Sequence, residues 1–437
     1  MTDLYRPLRS LREGNWFKLI CGASFQHLPA VRNLTLAYTL AGADCVDVAA
    51  DPAVIAAARE AMRAARCVAT GGSEALKFDG LPWLMVSLND GEDPHFRKAE
   101  FDVEACPAYC TRPCESICPA GAIAFSPNPN TFSGVIDDFC YGCGRCLTVC
   151  PIQQISTRSY VFTPAAIAPL VLAGVDAVEI HTQVGRLADF KRLWGAIAPS
   201  LDQLKLVAIS CPDGENLIEY LWDLYKLISP LPCPLVWQTD GRPMSGDIGD
   251  GATRATVKLG QKVLAARLPG YVQLAGGTNS HTVSKLIKQG LLGERAALSS
   301  QYNVAVNSST DRLDVSTEEA SVLTASAPRF NEDTAQLPYR VAGIAYGSYA
   351  RTLLAPVLDQ LAQRNIQDSS VSINLSENFP NGFHSPDTMT LGIPQPISTH
   401  LECYPDLLEQ AVSLADSLVS QIKSPMKLAQ TIPRQPG

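Results

Sequence analysis

The chain contains the stretch Cys140-Tyr-Gly-Cys143-Gly-Arg-Cys146-Leu-Thr-Val-Cys150-Pro151, in which gaps of two, two and three residues separate four cysteines. This is the spacing of bacterial ferredoxins. Two-residue gaps let a tight loop bring neighbouring thiolates onto one iron–sulfur cluster, and thiolates suit such clusters. A structural zinc site or disulfides are the alternatives, but zinc gives no reason for this run or its final proline. We therefore predict that this stretch folds as part of an iron–sulfur module.

A second run of four cysteines lies upstream, and its gaps are all three residues long: Cys106-x3-Cys110-x3-Cys114-x3-Cys118-Pro119. Cysteines four residues apart would also lie on one face of a helix. Proline is costly in a helix interior, and three prolines lie in or just after the run: Pro107, Pro113 and Pro119. The sequence therefore favours a loop wrapped around a cluster.

The ferredoxin pattern also predicts which thiolates share a cluster. In two-cluster ferredoxins the fourth cysteine of each run ligates the other cluster. One predicted cluster is therefore bound by Cys118, Cys140, Cys143 and Cys146. The other is bound by Cys106, Cys110, Cys114 and Cys150, and its longer gaps leave two forms open, a four-iron (4Fe-4S) or a three-iron (3Fe-4S) cluster. Short strands are expected to close the module at Ala120–Phe125 and Ile152–Thr157.

Composition limits the class of protein. The chain has 437 residues, of which 46% are hydrophobic and 18% charged, so it is long enough for one large and one smaller globular domain. No apolar run approaches the ~20 residues that span a bilayer, and Met1–Asn15 lacks a signal-peptide core. A net charge of −8 argues against binding nucleic acid. We expect a cytoplasmic protein, in which thiols stay reduced and clustered cysteines indicate metal binding.

Outside the cysteine runs, apolar strand-like segments alternate with amphipathic helical segments. Eight such strands are predicted, each with a helix to follow: Phe17–Gly22, Cys45–Ala49, Trp83–Leu88, Ala177–His181, Leu206–Ser210, Pro234–Gln238, Tyr271–Ala275 and Arg340–Ala345. Eight units of this kind predict an α/β fold of the (β/α)8, TIM-like barrel type, and a doubly wound open sheet is the alternative. The ferredoxin-like module is then an insertion after strand three, at the C-terminal rim of the barrel.

The same pattern predicts the division of the chain into segments. The barrel takes residues 1–90 and 161–368, the iron–sulfur module takes 91–160, and a C-terminal arm and tail take 369–437. A polar stretch at Gly293–Pro338 interrupts the barrel, and a helix is expected in the arm at Tyr404–Ile422.

The ends of strands six, seven and eight predict a second site. Glycines after strands seven and eight are where barrels of this type bind phosphate, on backbone amides and a helix N-terminus. The predicted site combines these glycines with charges of the Gln238–Asp247 loop: Gly276, Gly277, Gly347, Ser348, Arg242 and Asp240. The alternative is that the glycines only form tight turns and the charges are solvated.

Several stretches resemble the cyanobacterial light-dependent period A family, whose members are iron–sulfur proteins of circadian clock input. The resemblance rests on the two cysteine runs and on two rim loops, Gln238–Asp247 and Gln273–Asn279, and it extends over nearly the whole chain. It implies redox-active clusters, cytoplasmic location, and protein partners in clock input or photosynthetic redox chemistry. It also implies cluster ligation by the eight cysteines of the runs. The rim loops carry no family residue assignment.

Two function classes remain open. The first is a redox sensor or electron carrier, which would need no substrate. The second is a flavin-dependent oxidoreductase in which the clusters relay electrons to FMN, or another phosphate-bearing ligand, in the barrel mouth. An enzyme needs acid–base groups there, and Asp240 and His181 are the candidates. A histidine at a strand end is more often a hydrogen-bonded core residue, so the sensor or carrier is the preferred hypothesis.

Overall fold

A computed structural model describes most of the chain. The described residues are 6–70, 80–91, 96–118, 120–126, 132–159, 164–242, 249, 251–292, 340–376 and 399–424. The predicted polar stretch at Gly293–Pro338, most of the C-terminal arm before residue 399, and the tail after residue 424 lie outside them.

Eight parallel strands close into a barrel, which confirms the predicted fold. In chain order they are β1 (Trp16–Gly22), β2 (Cys45–Ala49), β3 (Trp83–Asn89), β8 (Ala177–His181), β9 (Leu206–Pro212), β10 (Leu235–Asp240), β11 (Tyr271–Ala275) and β12 (Gly343–Tyr346). Each strand pairs with its neighbours in this order, and β12 pairs with β1. The four strands between β3 and β8 in sequence are not part of the barrel, so the insertion follows the third barrel strand as predicted.

Helices surround the barrel. They are α1 (Arg6–Glu13), α2 (Leu28–Leu40), α3 (Pro52–Thr70), α6 (Pro164–Leu172), α7 (Leu187–Ile197), α8 (Leu217–Ile228), α9 (Thr253–Ala265), α10 (Thr282–Lys288), α11 (Ser348–Ser376) and α12 (Pro405–Lys423). Helix α3 begins where Asp51 Oδ1 accepts hydrogen bonds from the amides of Ala53 and Val54, at 2.8 and 3.2 Å. This is N-capping, which satisfies amides that have no partner inside the helix.

Two apolar layers stabilise the barrel. The larger lies between strands and helices and contains side chains such as Phe17, Val86 and Leu354. The smaller fills the N-terminal end of the barrel interior, where Trp16 and Trp83 meet edge to face with ring centroids 5.8 Å apart. Burial of this much apolar surface is the main stabilising contribution to the fold.

The predicted C-terminal helix is found as α12, and it completes the helical layer. It packs on α11, α2 and β1 through an apolar stripe that includes Leu407, Ala411 and Leu418. Its last turn is anchored by Lys423, which donates to Ser10 Oγ at 2.9 Å and forms an ion pair with Asp44.

The inserted module consists of short elements. Strands β4 (Arg97–Glu100) and β7 (Ser156–Ser159) form one antiparallel pair, and β5 (Ile123–Ala124) and β6 (Gly134–Val135) form another. Helices α4 (Pro113–Ile117) and α5 (Arg145–Val149) pack together between them. The two predicted closing strands are therefore shorter or shifted, and each has its own partner.

Two local expectations differ from the structure. The first cysteine run contains one short helix, α4, which begins at Pro113; proline is compatible with the first helical position because no hydrogen bond is lost there. The sixth barrel strand extends two residues past Gln238, so Asp240 belongs to strand β10 rather than to the loop after it.

Candidate functional site

Four of the predicted ligands line one cavity inside the module. They are Cys118, Cys140, Cys143 and Cys146. Loop glycines at positions 142 and 144 have φ of 70° and 71°, a conformation that glycine adopts without strain, and they let the loop turn tightly around the cavity. Backbone amides already point at the sulfurs, since Ala99 N donates to Cys140 Sγ at 3.3 Å and Ala122 N donates to Cys118 Sγ at 3.2 Å.

The thiols of this group, which we call the inner group, perturb one another. Burial, followed by the neighbouring thiolates of Cys143, Cys140 and Cys118, raises the pKa of Cys146 to about 12. Four thiolates this close are therefore stable only when a cation shares their charge. Metal binding supplies that charge and displaces the protons.

The other four predicted ligands form a second group, which we call the outer group: Cys106, Cys110, Cys114 and Cys150. Burial and then Cys110 raise the pKa of Cys106, and Cys150 contributes in the same direction to both Cys106 and Cys114. Amides point at these sulfurs too, because Arg112 N and Gln154 N donate to Cys110 Sγ and Cys150 Sγ at 3.4 Å.

The outer group lies nearer to solvent than the inner group. Tyr109, between two of its cysteines, is 86% exposed, and Ile152, just past Cys150, is 42% exposed. In the inner group, by contrast, Cys140 and Cys146 are buried and Tyr141 between the first two ligands is 7% exposed. The two groups are therefore alike in donor type and different in environment.

Each group takes three thiols from one run and the last thiol from the other. The structure brings together the residues that the sequence assigned to each cluster, including the longer-spaced Cys106 and Cys110. All eight donors are thiols, and backbone amides surround them, which fits an iron–sulfur cluster in each group because amide donors to sulfur stabilise such clusters. Zinc would use four thiolates equally well, but it does not need the crossed arrangement of the two runs.

The module contacts the barrel around the loop between β1 and α2. Gln26 N donates to Asp138 O at 3.3 Å, and the rings of His27 and Phe139 meet at 4.4 Å between centroids. Lys98, which is fully buried, donates to Gln26 Oε1 at 2.8 Å and to Asp137 O at 2.6 Å. The inner group thus lies on a fixed contact between module and barrel.

The barrel interior holds a buried network of charges that the sequence analysis missed. Lys18 forms ion pairs with Glu179 and, at 3.2 Å, with Asp47, and all three side chains are almost fully buried. Burial alone would raise the pKa of Glu179, but Lys18 and His181 hold it at about 2, whereas burial raises the pKa of Asp47 to about 6 despite Lys18. The sequence did contain a signal for this network, namely one charged residue in the middle of each of three apolar strands.

Hydrogen bonds extend this network across the barrel. Trp16 Nε1 donates to Gln273 Oε1, Gln273 donates to Gln238 Oε1, and Gln238 donates to Glu179 Oε1, each at 2.6 Å. His181 Nε2 lies 2.9 Å from Glu179 Oε1, and its ring meets Phe96 of the module edge to face. His181 is thus a hydrogen-bonded core residue beneath the module. This is the role that the sequence analysis gave as the more frequent one for a histidine at a strand end.

The predicted phosphate-site residues lie at the mouth of the barrel, packed closely by the chain. Gly276 and Gly277 have φ of 60° and 92°, and a Cβ on Gly276 would collide with the carboxylate of Asp240. A Cβ on Gly277 would lie 2.8 Å from Ala252 O and 3.0 Å from Arg242 Cγ. These glycines therefore allow close packing of their own neighbours, whatever else they bind.

The eighth strand end differs from the seventh. A Cβ on Gly347 would make ordinary contacts, 3.6 Å from Arg351 Nη1 and 3.7 Å from Ile20 Cβ, and Ser348 Oγ accepts a hydrogen bond from Arg351. At the end of β3, which is not a neighbour of β11 or β12, the buried side chain of Asn89 has an Oδ1 atom with no hydrogen-bond partner among the described residues. The mouth therefore presents polar groups at several strand ends.

The fold and the thiol groups define a class of protein: a (β/α)8 barrel that carries a ferredoxin-like iron–sulfur module on its C-terminal rim. Comparison with known proteins gives the family. The model of the "Light dependent period A C-terminal domain" matches residues 170–421, and that of the "LdpA Fe-S cluster-binding domain" matches residues 106–161. The chain is 43% identical over 418 residues to "Light dependent period A" of Synechococcus elongatus, covering 95% of this chain and 94% of that protein. The chain belongs to the light dependent period A family, and its module is an iron–sulfur cluster-binding domain.

One solved structure is similar at a lower level. Apo homocysteine methyltransferase MmuM from Escherichia coli is 18% identical, with coverage of 56% of this chain and 88% of that chain and a TM-score of 0.25. A likeness this low says nothing about activity. Among the described residues, no helix combines the length and the apolar character that crossing a membrane requires.

Proposed function

We propose that this protein is a redox sensor with two four-iron clusters, one in the inner group and one in the outer group. The observation that carries the proposal is the crossed arrangement, in which each group combines three thiols of one run with the last thiol of the other. This is how two-cluster ferredoxins bind their clusters. A sensor needs no substrate, and His181, one of the two candidate acid–base groups, is instead bonded to Glu179 in the barrel core.

The relative's name connects the family with a period that depends on light. We infer that the clusters of this chain follow the reduction state of the cell, which light changes, and report it to protein partners of the circadian clock. A cluster is suited to this because its potential is set by the charges and hydrogen bonds around its sulfurs. The protein then acts as a signal carrier rather than as an enzyme.

The first test is the metal content of anaerobically purified protein. Two four-iron clusters give about eight iron atoms per chain and a broad visible absorbance that dithionite bleaches. Zinc in place of iron, or an absorbance that dithionite leaves unchanged, would refute the proposal. The second test places a Cys143→Ser variant in Synechococcus elongatus lacking its own relative. The period should then stop responding to light intensity, while the wild-type chain should restore the response.

A phosphate-bearing ligand in the barrel mouth is the second candidate, and the space around Gly347, where a Cβ would make only ordinary contacts, favours it. A flavin phosphate would bind at Gly276, Gly277, Gly347 and Ser348, with charge from Arg242, and the protein would then be an oxidoreductase fed by its clusters. Thermal-shift titration with flavin mononucleotide, nucleotides and sugar phosphates tests this. Gly347→Ala is the better variant, since Gly277→Val would be strained at a φ of 92° with or without a ligand.

A further inference from the structure

Arg351 lies between the inner group and the end of the first barrel strand. Its guanidinium carbon is 4.2 Å from the ring centroid of Tyr141, the residue that follows Cys140. Its Nη1 donates to Ile20 O at 2.9 Å and to Cys21 O at 3.1 Å, and its Nη2 donates to Ser348 Oγ at 3.0 Å. One side chain thus joins the inner group's loop, strand β1 and helix α11.

The guanidinium of Arg351 is a buried positive charge that a nearby anion would stabilise. Arg351 is only 7% exposed, and it lies in the first turn of α11, where the helix dipole disfavours a cation. No carboxylate forms an ion pair with it among the described residues. A buried cation without a counter-charge is costly. Tyr141 lines the same cavity as the four inner thiols, so thiolates that hold a cluster there would place negative charge close to the ring that Arg351 covers.

The residues around Arg351 are closely packed. Gly22, at the end of β1, has a φ of 132°, and a Cβ there would lie 3.0 Å from Phe25 Cβ, 3.6 Å from Arg351 Nη1 and 3.7 Å from Tyr141 Cβ. The ring of Phe25 in turn meets that of Tyr141 edge to face at 5.8 Å. A small shift of the inner group's loop is therefore passed to the barrel rather than absorbed in a void.

We propose that Arg351 is the residue that couples the redox state of the inner cluster to the mouth of the barrel, an inference that rests on the proposed function. In the redox step, a low-potential one-electron donor is oxidised and the inner cluster gains one electron; no covalent bond forms or breaks. The added negative charge draws the guanidinium toward Tyr141 and weakens its hydrogen bonds to Ile20 O and Cys21 O. The ends of β1 and α11 at the barrel mouth loosen as a result.

The first experiment measures the midpoint potential of the inner cluster, by dye-mediated titration of the full chain with electron paramagnetic resonance detection. Arg351→Gln removes a cation that stabilises the reduced form, so the potential falls. We expect the reduced-to-oxidised ratio at a fixed potential to fall about tenfold, which is 59 mV for a one-electron couple. Arg351→Lys keeps the charge and should shift the ratio much less. Arg364→Gln removes a half-exposed ion pair with Asp406 further along the same helix and should shift nothing.

The second experiment compares hydrogen exchange of oxidised and reduced wild-type protein. Amides of residues 19–24 and 347–352 should exchange several-fold faster after reduction by dithionite. This difference should disappear in Arg351→Lys, because an ammonium group cannot reach both carbonyls while it covers the Tyr141 ring. It should persist in Arg364→Gln.

The outcomes separate this inference from the proposed function. Absence of a cluster in the inner group would overturn both. An inner cluster whose potential ignores Arg351→Gln would refute the counter-charge role of Arg351. Equal exchange of the two segments in oxidised and reduced wild-type protein would refute the coupling even if the potential moves. If Arg351→Gln does not fold, the exchange comparison in wild type and Arg351→Lys still decides.

Discussion

The barrel and the module of this protein are stabilised by different means. The barrel has an extensive apolar core and pairs its interior charges with one another. Among the described residues, the module's own buried apolar cluster has seven members, of which three are cysteines: Ala99, Cys114, Ala122, Ile123, Cys140, Cys146 and Ile155. A core this small cannot offset the entropy of ordering its loops. From this comparison we expect the barrel to fold by apolar burial and internal ion pairing without a metal, and the module to depend on its clusters.

The largest test of this contrast is removal of the metal. Anaerobic treatment with an iron chelator should abolish hydrogen-exchange protection across residues 97–159, because cluster binding and folding of such a module are one equilibrium. Amides in the barrel strands should keep most of their protection, since their burial does not involve iron. Loss of protection in both regions together, or in neither, would contradict the division.

Replacement of one cysteine of the inner group should remove one of the two clusters. Cys143→Ser removes a thiolate from the buried cavity, and we expect it to remove about half of the bound iron and to destabilise the module, because three thiolates hold a four-iron cluster poorly. Iron analysis and visible absorbance measure this. Cys67→Ser, an exposed cysteine at the end of α3, is the matched control and should leave the iron unchanged. Unchanged iron in Cys143→Ser would refute the ligand assignment.

The barrel's own stability should respond to its buried charges and not to the thiols. Lys18→Met leaves Asp47 and Glu179 buried without their cation, which should cost about 3–5 kcal/mol of unfolding free energy. Urea unfolding followed by far-ultraviolet circular dichroism measures the cost. Lys205→Met breaks a half-exposed pair with Asp176 and should cost less than about 1 kcal/mol. Similar losses of unfolding free energy in the two variants would mean that the buried ion pairs of Lys18 do not stabilise the barrel.

The smallest expected effect is a difference between the two thiol groups in how readily their clusters lose iron. The outer group has the longer gaps and the more exposed surroundings, so its cluster should be the first to lose iron in air and form a three-iron species in part of the molecules. Electron paramagnetic resonance of the oxidised protein should then show a signal near the free-electron value. Two clusters that remain four-iron and silent after the same exposure would show that the difference in environment has no consequence for cluster stability.

Much of this could be predicted from the sequence because it depends on local spacing. Alternation of apolar and amphipathic segments predicts all eight barrel strands to within a few residues, since strand and helix periods are properties of short stretches. The cysteine gaps likewise predict which thiols of one run meet, because a short loop limits where its own residues can lie, and the ferredoxin pattern adds the last cysteine of the other run. Strand β10 was predicted two residues too short because Thr239 and Asp240 look like loop residues, although their neighbours β9 and β11 extend the pairing to Asp240.

What the sequence alone determined is the set of barrel elements and the insertion after the third strand, whereas cluster ligation by the two crossed sets of thiols stays a prediction. Only the tertiary structure decided that Lys18 meets Asp47 and Glu179, that the inner group is buried against the barrel while the outer group faces solvent, and that Arg351 stacks on Tyr141. These contacts join residues from 29 to 210 positions apart along the chain. No spacing rule reaches so far, because closure of the barrel, and not the local backbone, brings such residues together.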